Sequence, residues 1–355
     1  MSNAWSAAKG RLIAASYAVG WWLVCRVPES WGRWVFNQAG DIAWRRQGNG
    51  VQVLEANLRR VIGPEATGKE LRALSRAAMS SYARYWFEVF RLPVISKERL
   101  LTGMGFVPGE AEVHAALAAG RGVVLALPHM GNWDQAGAWI IATGVPRFTT
   151  VAERLEPESL ARRFFAFRES LGFEVIPATG AVSRFGTLAQ RLRDGGLVCL
   201  PADRDVTGSG IKVDFFGEQA LMMGGSAALA IRTGAALMPV TLWFKDAGWG
   251  AHIHEEIPVP AEGSRRDKVL AMTQELARVF ETGIRAYPQD WHMLQRVFVA
   301  DLDLDRLAAA EDRARAAAGA EDGSADGSGD EAAPGSGEIA GGRAALDGQP
   351  DGSGP

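Results

Sequence analysis

A histidine and an aspartate in the stretch GVVLALPHMGNWDQAGAW have the types and the spacing of a proton-transfer pair. The apolar residues up to Leu127 predict a buried strand that a proline ends, so His129 lies at the exit of the strand. The short segment that follows predicts a tight turn, which brings Asp134 close enough to orient the imidazole. A neutral imidazole that a carboxylate holds in one tautomer is suited to removing a proton from a hydroxyl.

A second block, GLVCLPADRD, predicts another buried strand, which ends at Pro201 and is followed by Asp203 and Arg204. Because the parallel strands of an open α/β sheet end at one edge, this block can meet His129 there. If it does, Asp203 rather than Asp134 orients the imidazole. The sequence leaves both alternatives open. Arg204 is a candidate for contact with an anionic group or a developing oxyanion. The alternative is that these charges form an ordinary surface turn.

Other candidate contacts come from basic residues and from a glycine-rich helix start. Arg154 follows a predicted strand, and Arg168 lies on a basic helix that suits the phosphates of a large carrier such as coenzyme A. In KVDFFGEQALMMGGSAALAIRTG, the helix that starts near Ser226 offers free backbone N–H groups to an anion or a carbonyl, and it carries Arg232. The alternatives are a solvated helix face for the arginines and a packed core around the helix start.

The sequence lacks the signals of several other chemistries. No G-x-S-x-G motif occurs, and Cys199 lies in an apolar strand, which favours direct attack by a substrate hydroxyl over a covalent enzyme intermediate. His252 and His254 alternate on a predicted strand without a third ligand at a characteristic spacing, so we expect no metal cofactor. No P-loop, dinucleotide-binding fingerprint or nucleic-acid motif occurs. We therefore expect neither nucleotide hydrolysis, nor dinucleotide redox chemistry, nor nucleic-acid binding.

An alternation of strands and helices must position these candidates, and it predicts an α/β fold with a mostly parallel central sheet flanked by helices. The predicted strands are 122–127, 148–152, 174–177, 197–201 and 237–244. The predicted helices are 31–46, 69–91, 134–142, 157–171, 181–194, 226–233 and 266–287. The chain then divides into an N-terminal helical region with amphipathic helices (1–95), an α/β core (96–300) and a tail (301–355).

Charge is distributed unevenly along the 355 residues, which hold 38 Lys+Arg and 41 Asp+Glu for a formal net charge of −3. Residues 301–355 include thirteen acidic and four basic residues and few large apolar ones, so we expect a disordered tail. Residues 1–60 include eight basic and three acidic residues and six of the twelve tryptophans. The two cysteines exclude a disulfide scaffold and fit a reducing compartment.

The basic, tryptophan-rich N-terminus is typical of helices that lie on a membrane surface. The apolar run over 12–25 is too short to span a bilayer, which takes about 20 residues. One face of the next predicted helix holds Trp31, Trp34, Val35, Gln38 and Ile42. Tryptophan favours the headgroup region and arginine favours anionic lipid, so we expect peripheral attachment to an anionic membrane surface without a span. The alternative is an ordinary helical hairpin packed on the core.

Four blocks occur in the order PHMGNWD, PADRD, DFFGEQA and WHMLQRVF, and over residues 10–300 the chain resembles the lipid A lauroyl/myristoyl acyltransferase family. Within that family it looks most like the actinobacterial phosphatidylinositol mannoside acyltransferases. The resemblance implies a glycerolipid-acyltransferase-like fold and transfer of a long, palmitoyl-type acyl chain from acyl-CoA to a mannose hydroxyl of a phosphatidylinositol mannoside. It also implies a peripheral position at the cytoplasmic side of the cell membrane and no cofactor beyond the co-substrate.

By the same resemblance, His129 matches the catalytic base of the family, Asp134 matches its motif partner, and the third catalytic acid falls at Asp203. The candidates for contacts to the acyl carrier or the headgroup are Arg154, Arg168, Arg204, Arg232 and Ser226. Two alternative functions remain open. One is acyl transfer to another lipid acceptor, such as a lipid A precursor or a glycerol phosphate, and the other is non-catalytic binding of an acyl lipid.

Overall fold

The computed structural model describes residues 19–152, 158–177, 184–205 and 210–302, without the side chains of 158–163. The candidate Arg154, the first half of the apolar run over 12–25 and all but the first two residues of the expected tail lie outside the described residues. The predictions made for those segments therefore stay predictions.

Four helices form the N-terminal part of the described chain, and α4 is the element on which the others pack. These helices are α1 (19–26), α2 (Glu29–Arg45), α3 (Asn49–Ile62) and α4 (Gly68–Arg91). A capping box between Thr67 and Glu70 begins α4. Gly40 of α2 lies against α4 so closely that an added Cβ would come within 2.9 Å of the Met79 carbonyl oxygen. The opposite face of α2 is left uncovered and carries the exposed Trp31.

Strands and helices then alternate, as the sequence predicts, through a core that follows two short helices. The strands are β1 (Val123–Leu127), β2 (Phe148–Ala152), β3 (Phe173–Pro177), β4 (Leu197–Pro201), β5 (Ile211–Phe215), β6 (Glu218–Met222), β7 (Ala236–Lys245) and β8 (Gly248–Ile253). The helices are α5 (Lys97–Met104), α6 (Glu110–Ala118), α7 (Trp133–Ala142), α8 (Glu158–Ser170), α9 (Arg184–Arg193), α10 (Gly225–Thr233) and α11 (Arg265–Ala286). Short 3₁₀ turns occur at Leu92–Val94, Pro288–Asp290 and Val299–Asp301.

Six strands form the central sheet in the order β3-β2-β4-β1-β7-β8, and β5 and β6 form a separate antiparallel hairpin. All neighbours in the central sheet are parallel except β7 and β8. The five residues of β1 are all buried, which is the pattern of a central parallel strand covered by helices on both faces. The predicted α/β class with a mostly parallel, helix-flanked sheet is therefore confirmed.

The strand order decides which of the predicted residues can meet. β1 and β4 are parallel neighbours, with Leu127 opposite Pro201 at their carboxyl ends. His129 and Asp203 each follow two residues later, so the two side chains enter the same edge of the sheet. Among the described residues, no helix combines the length and the apolar character that crossing a bilayer requires.

Candidate active site

His129 and Asp203 form a close pair at the carboxyl edge of β1 and β4. Nδ1 of His129 lies 2.6 Å from Oδ1 of Asp203, and the backbone N–H of His129 donates to Oδ2 at 2.8 Å. The aspartate is fully buried, whereas the histidine side chain is 21% exposed. An ionised carboxylate only accepts hydrogen bonds, so the ring proton belongs on Nδ1. Nε2 is then the basic atom of the pair.

The environment of Asp203 keeps its carboxylate ionised. Burial by itself raises the pKa of Asp203, but the adjacent His129 and the hydrogen bonds from His129 and Trp291 outweigh burial and lower the pKa below its usual value. A carboxylate held in this way fixes the tautomer of the imidazole and stabilises the imidazolium that forms when the ring takes a proton. The pair therefore has the geometry of a general base and its orienting group.

Asp134 lies elsewhere, and the alternative that it orients His129 was wrong. Its Oδ1 accepts from Nε of Arg168 at 2.7 Å, and its Oδ2 accepts from Nη2 of Arg168 and from the Tyr85 hydroxyl, both at 2.8 Å. The first turn of α7 directs Asp134 toward α8 and α4, so the carboxylate meets the guanidinium and the phenol instead of the imidazole. Burial and the Asp134 carboxylate raise the pKa of Tyr85 well above its usual value, so the phenol stays protonated.

Two residues shape the turn that carries His129 into α7. Asn132 caps α7 by accepting from the backbone N–H of Gln135, and its Nδ2 donates to the buried Glu88 of α4. Gly131 has a φ of 59°, and an added Cβ would come within 2.8 Å of the backbone of Leu242 in β7. Only glycine fits this close approach without moving β7 away from the turn.

The other candidates occupy different places. Arg168 is buried in its ion pair with Asp134, so it does not lie on a solvated helix face, and its expected contact with a ligand stays a prediction. Arg204 is half-buried directly after Asp203, at the expected edge. Arg232 is exposed in the last turn of α10 over the Phe185 ring, at the end of the sheet away from His129. Ser226 is 2% exposed, which fits the packed-core alternative for its side chain.

An apolar cavity lies between one face of the sheet and α7. Trp133, which lines it, packs edge-on against the His129 imidazole with ring centroids 5.5 Å apart. Cys199 also lines the cavity, and burial raises the pKa of its thiol, so the sulfur is not a thiolate nucleophile. The paired Asp134 and Arg168 also line it, and most of the other lining residues are apolar, including Leu125, Leu127, Ala136, Ile140, Val151, Val240 and Leu242.

A segment near the end of the described chain pairs with the His129 turn, and sequence reasoning missed its part in the site. The backbone N–H of Gly131 donates to the Asp290 carbonyl at 2.8 Å, and that of His292 donates to the His129 carbonyl at 2.7 Å. The residue between them, Trp291, is buried and its backbone pairs with that of Met130 in the turn. The only sequence signal was the block WHMLQRVF, which supported the family resemblance without indicating a contact.

Metal chemistry has no support at the other histidines. Within the described ranges, no three His, Cys, Asp or Glu side chains group in a way that would hold a metal ion. His252 and His254 stack with ring centroids 3.9 Å apart, and His254 is hydrogen-bonded to Thr241. Burial, with a further effect from His252, lowers the pKa of His254 to about 4. The expectation that no metal cofactor takes part stays a prediction.

Comparison with known proteins identifies the family. A phosphatidylinositol mannoside acyltransferase of Mycolicibacterium smegmatis is 48% identical over 301 residues, which cover 84% of this chain and 95% of that protein. A phosphatidylinositol mannoside acyltransferase of Mycobacterium tuberculosis is 47% identical over 302 residues, which cover 84% of this chain and 92% of that protein. The family described as bacterial lipid A biosynthesis acyltransferase matches residues 6–299. The chain therefore belongs to the bacterial lipid A biosynthesis acyltransferase family.

Proposed function

We propose that the protein transfers a long-chain acyl group from acyl-CoA to a mannose hydroxyl of a phosphatidylinositol mannoside, with His129 as the general base. The observation that carries the proposal is the His129–Asp203 pair, which lies beside an apolar cavity in a member of an acyltransferase family. The acceptor class follows the two mycobacterial relatives. No cofactor takes part in the proposed reaction besides the acyl-CoA co-substrate.

In the proposed reaction, the acceptor hydroxyl gives its proton to Nε2 of His129 while its oxygen attacks the thioester carbonyl carbon. The tetrahedral intermediate then expels the coenzyme A thiolate, so that a C–O bond forms and a C–S bond breaks. The proton on Nε2 passes to the thiolate, which leaves as the thiol. Asp203 holds the imidazole with Nδ1 protonated throughout and stabilises the imidazolium between the two proton transfers.

We propose roles for two further features, Arg204 and the apolar cavity. Arg204 directly follows Asp203 at the same edge and is the candidate to stabilise the oxyanion of the intermediate. The apolar cavity between the sheet and α7 is the proposed place of the acyl chain, since most of its lining is hydrophobic and its two charged residues, Asp134 and Arg168, are paired with each other. Trp133 belongs to this lining and contacts His129, which joins the cavity to the reacting atoms.

The decisive experiment offers the purified protein labelled acyl-CoA and a set of acceptors. Phosphatidylinositol mannosides, a lipid A precursor, a glycerol phosphate and buffer alone are compared for transfer of the label. We expect labelled product with the mannosylated lipid and little free fatty acid in its absence. Preference for another acceptor would correct the substrate, equal release of fatty acid without any acceptor would indicate a hydrolase, and binding without turnover would indicate a lipid-binding protein.

We propose peripheral attachment at the cytoplasmic side of the cell membrane, and the exposed aromatic face of α1 and α2 supports the attachment itself. Trp22, Trp31 and Trp34 are 52%, 73% and 63% exposed. Tryptophan side chains of this kind partition into the headgroup region, where arginines contact anionic lipid. Gly40 packs α2 against α4, so the exposed tryptophans lie on the side of α2 that is left for lipid in the proposed attachment.

Vesicle binding tests this attachment. Replacing Trp31 and Trp34 together with alanine should reduce co-flotation with vesicles of phosphatidylinositol and phosphatidylglycerol by about tenfold or more, because two large aromatic groups no longer enter the interface. The unfolding temperature should not fall, since neither ring is buried in the protein. Leu270→Ala is the matched control, because Leu270 is also exposed (45%) but lies on α11. Equal binding by both variants would contradict the assignment.

A further inference from the structure

Trp291 donates a hydrogen bond to the carboxylate that orients His129. Its indole N–H lies 2.9 Å from Oδ2 of Asp203, the same oxygen that accepts the backbone N–H of His129. Oδ1 is left for the imidazole, at 2.6 Å. Both the indole and the carboxylate are fully buried, so water does not compete for these bonds.

The position of the indole is itself fixed from several sides. The backbone of the segment 290–292 is paired with the His129 turn at Gly131 and at His129. The Trp291 ring packs against the Phe215 and Phe216 rings of the β5–β6 hairpin, with centroids 5.9 and 6.1 Å away. An indole held in this way reaches Asp203 in one orientation only.

The rest of the segment is anchored on the N-terminal helices. Nδ2 of Asn57 in α3 donates to the carbonyls of Met293 and Gln295 at 2.8 and 3.0 Å. Ser81 of α4 donates to Oδ1 of Asp290 and is hydrogen-bonded to Nε2 of His292. Two helices far away in sequence therefore hold the segment in register with the catalytic turn.

We infer that Trp291 is a positioning residue of acyl transfer, acting through Asp203 on the orientation of the His129 imidazole. This inference rests on the proposed function, because it assumes that His129 is the base. A carboxylate with two donors on one oxygen cannot rotate freely, so the other oxygen stays aimed at Nδ1. The indole is neutral and has no acceptor atom, so it fixes the carboxylate without competing for the proton that His129 takes up.

The test removes the indole N–H while keeping an aromatic ring. Trp291→Phe is expected to lower kcat about tenfold and to leave KM for both substrates unchanged. The variant loses one hydrogen bond to a buried carboxylate, but it loses no contact with a substrate. Replacing Trp291 with β-(3-benzothienyl)alanine, which has sulfur in place of N–H and nearly the same shape, is expected to have the same effect. This second replacement decides the matter if the phenylalanine variant does not fold.

The spectroscopic readout is the Nδ1 proton of His129. A short Nδ1–H···carboxylate bond gives a far-downfield proton signal, and the chain has only five histidines to assign. Both replacements of Trp291 should shift this signal or remove it through faster exchange with water. Trp44→Phe is the matched control, because its indole also donates to a side-chain oxygen, Ser75 Oγ at 2.9 Å, in the N-terminal helices. The control should leave kcat and the signal unchanged.

The outcomes separate this inference from the proposed function. His129→Asn is measured in parallel, and normal transfer by that variant would overturn the proposed base. Loss of transfer in His129→Asn, together with a normal kcat or an unchanged His129 signal in both Trp291 replacements, would overturn the positioning role alone. A lowered kcat with unchanged KM and an altered His129 signal in the benzothienyl protein supports it.

Discussion

Two buried carboxylates at one edge of the sheet have partners of different chemistry. Asp203 pairs with His129, whose side chain is 21% exposed, whereas Asp134 pairs with Arg168, whose side chain is 11% exposed and is further enclosed by the Tyr85 hydroxyl. A guanidinium keeps its proton at any physiological pH, but an imidazole exchanges one near neutrality. The same acid therefore forms a buried ion pair in one place and a pair with the geometry for proton transfer in the other.

The difference also shows that a spacing motif does not establish a contact. In the sequence, only four residues separate His129 from Asp134, yet the fold gives each of them a partner from a distant segment. Asp134 lies at the start of α7, where the helix dipole favours an acid, and its bidentate ion pair with Arg168 ties α7 to α8. Four substitutions test whether the His129–Asp203 pair serves the reaction and the Asp134–Arg168 pair serves stability.

The largest effect is expected at the imidazole. His129→Ala should reduce acyl transfer by about 10²-fold or more, because the acceptor hydroxyl loses its base. Labelled acyl-CoA and mannosylated acceptor measure the rate, and circular dichroism checks the fold. His114→Ala is the control, because His114 contacts Thr143 in another part of the chain. Near-normal transfer in His129→Ala would show that His129 is not the base.

The next effect is expected at the orienting carboxylate. Asp203→Asn should lower kcat by about 10²-fold, less than loss of the base itself, because an amide cannot fix the imidazole tautomer or stabilise the imidazolium as a carboxylate does. Steady-state kinetics with both substrates would show the loss in kcat with little change in KM. If the variant kept its kcat, then another group would have to orient His129.

Breaking the structural pair should mainly affect stability. Asp134→Ala leaves the guanidinium of Arg168 buried without its carboxylate, which should lower the free energy of unfolding by about 3–5 kcal/mol. Denaturant unfolding measures this loss. Glu275→Ala is the matched control, because it breaks the exposed pair with Arg278 and should cost about 0–1 kcal/mol. A fully stable but inactive Asp134→Ala protein would show that Asp134 belongs to the chemistry.

The smallest effect is expected at the phenol. Tyr85→Phe removes one of the donors to Asp134 and should lower the free energy of unfolding by about 1–2 kcal/mol, since Arg168 still holds both carboxylate oxygens. Burial and Asp134 raise the pKa of Tyr85, so the tyrosine stays protonated and its contribution to stability should persist through the mildly alkaline range. Comparing the unfolding of parent and variant at pH 7 and 9 checks both statements.

The sequence predicted the frame of the site better than its contacts. β2 and β4 occur at the predicted residues and β1 within one residue, because buried parallel strands are continuous apolar runs that local pattern reveals. Strand order is not a local property. Whether Asp203 or Asp134 meets His129 depends on β4 lying beside β1, which the linear pattern leaves undecided.

Partners that come from distant segments were the least predictable. Arg168 was expected to face a ligand because a basic helix has the same composition whether an arginine points to solvent or to a buried acid. Trp291 follows His129 by more than 160 residues, and a tryptophan in the block WHMLQRVF gives no sign that its indole will face Asp203. Long-range pairs of this kind are fixed by tertiary packing, which sequence periodicity does not encode.

The pairing of the segment 290–292 with the His129 turn has a consequence for biosynthesis. A nascent chain can form α4 early, because the hydrogen bonds within a helix are local and a capping box begins this one. The hydrogen bond from Trp291 to Asp203 cannot form until almost all of the described chain has left the ribosome. Unfinished chains that already contain His129 and Asp203 therefore lack the last side of the site, and acyl transfer should begin only when synthesis has passed that segment.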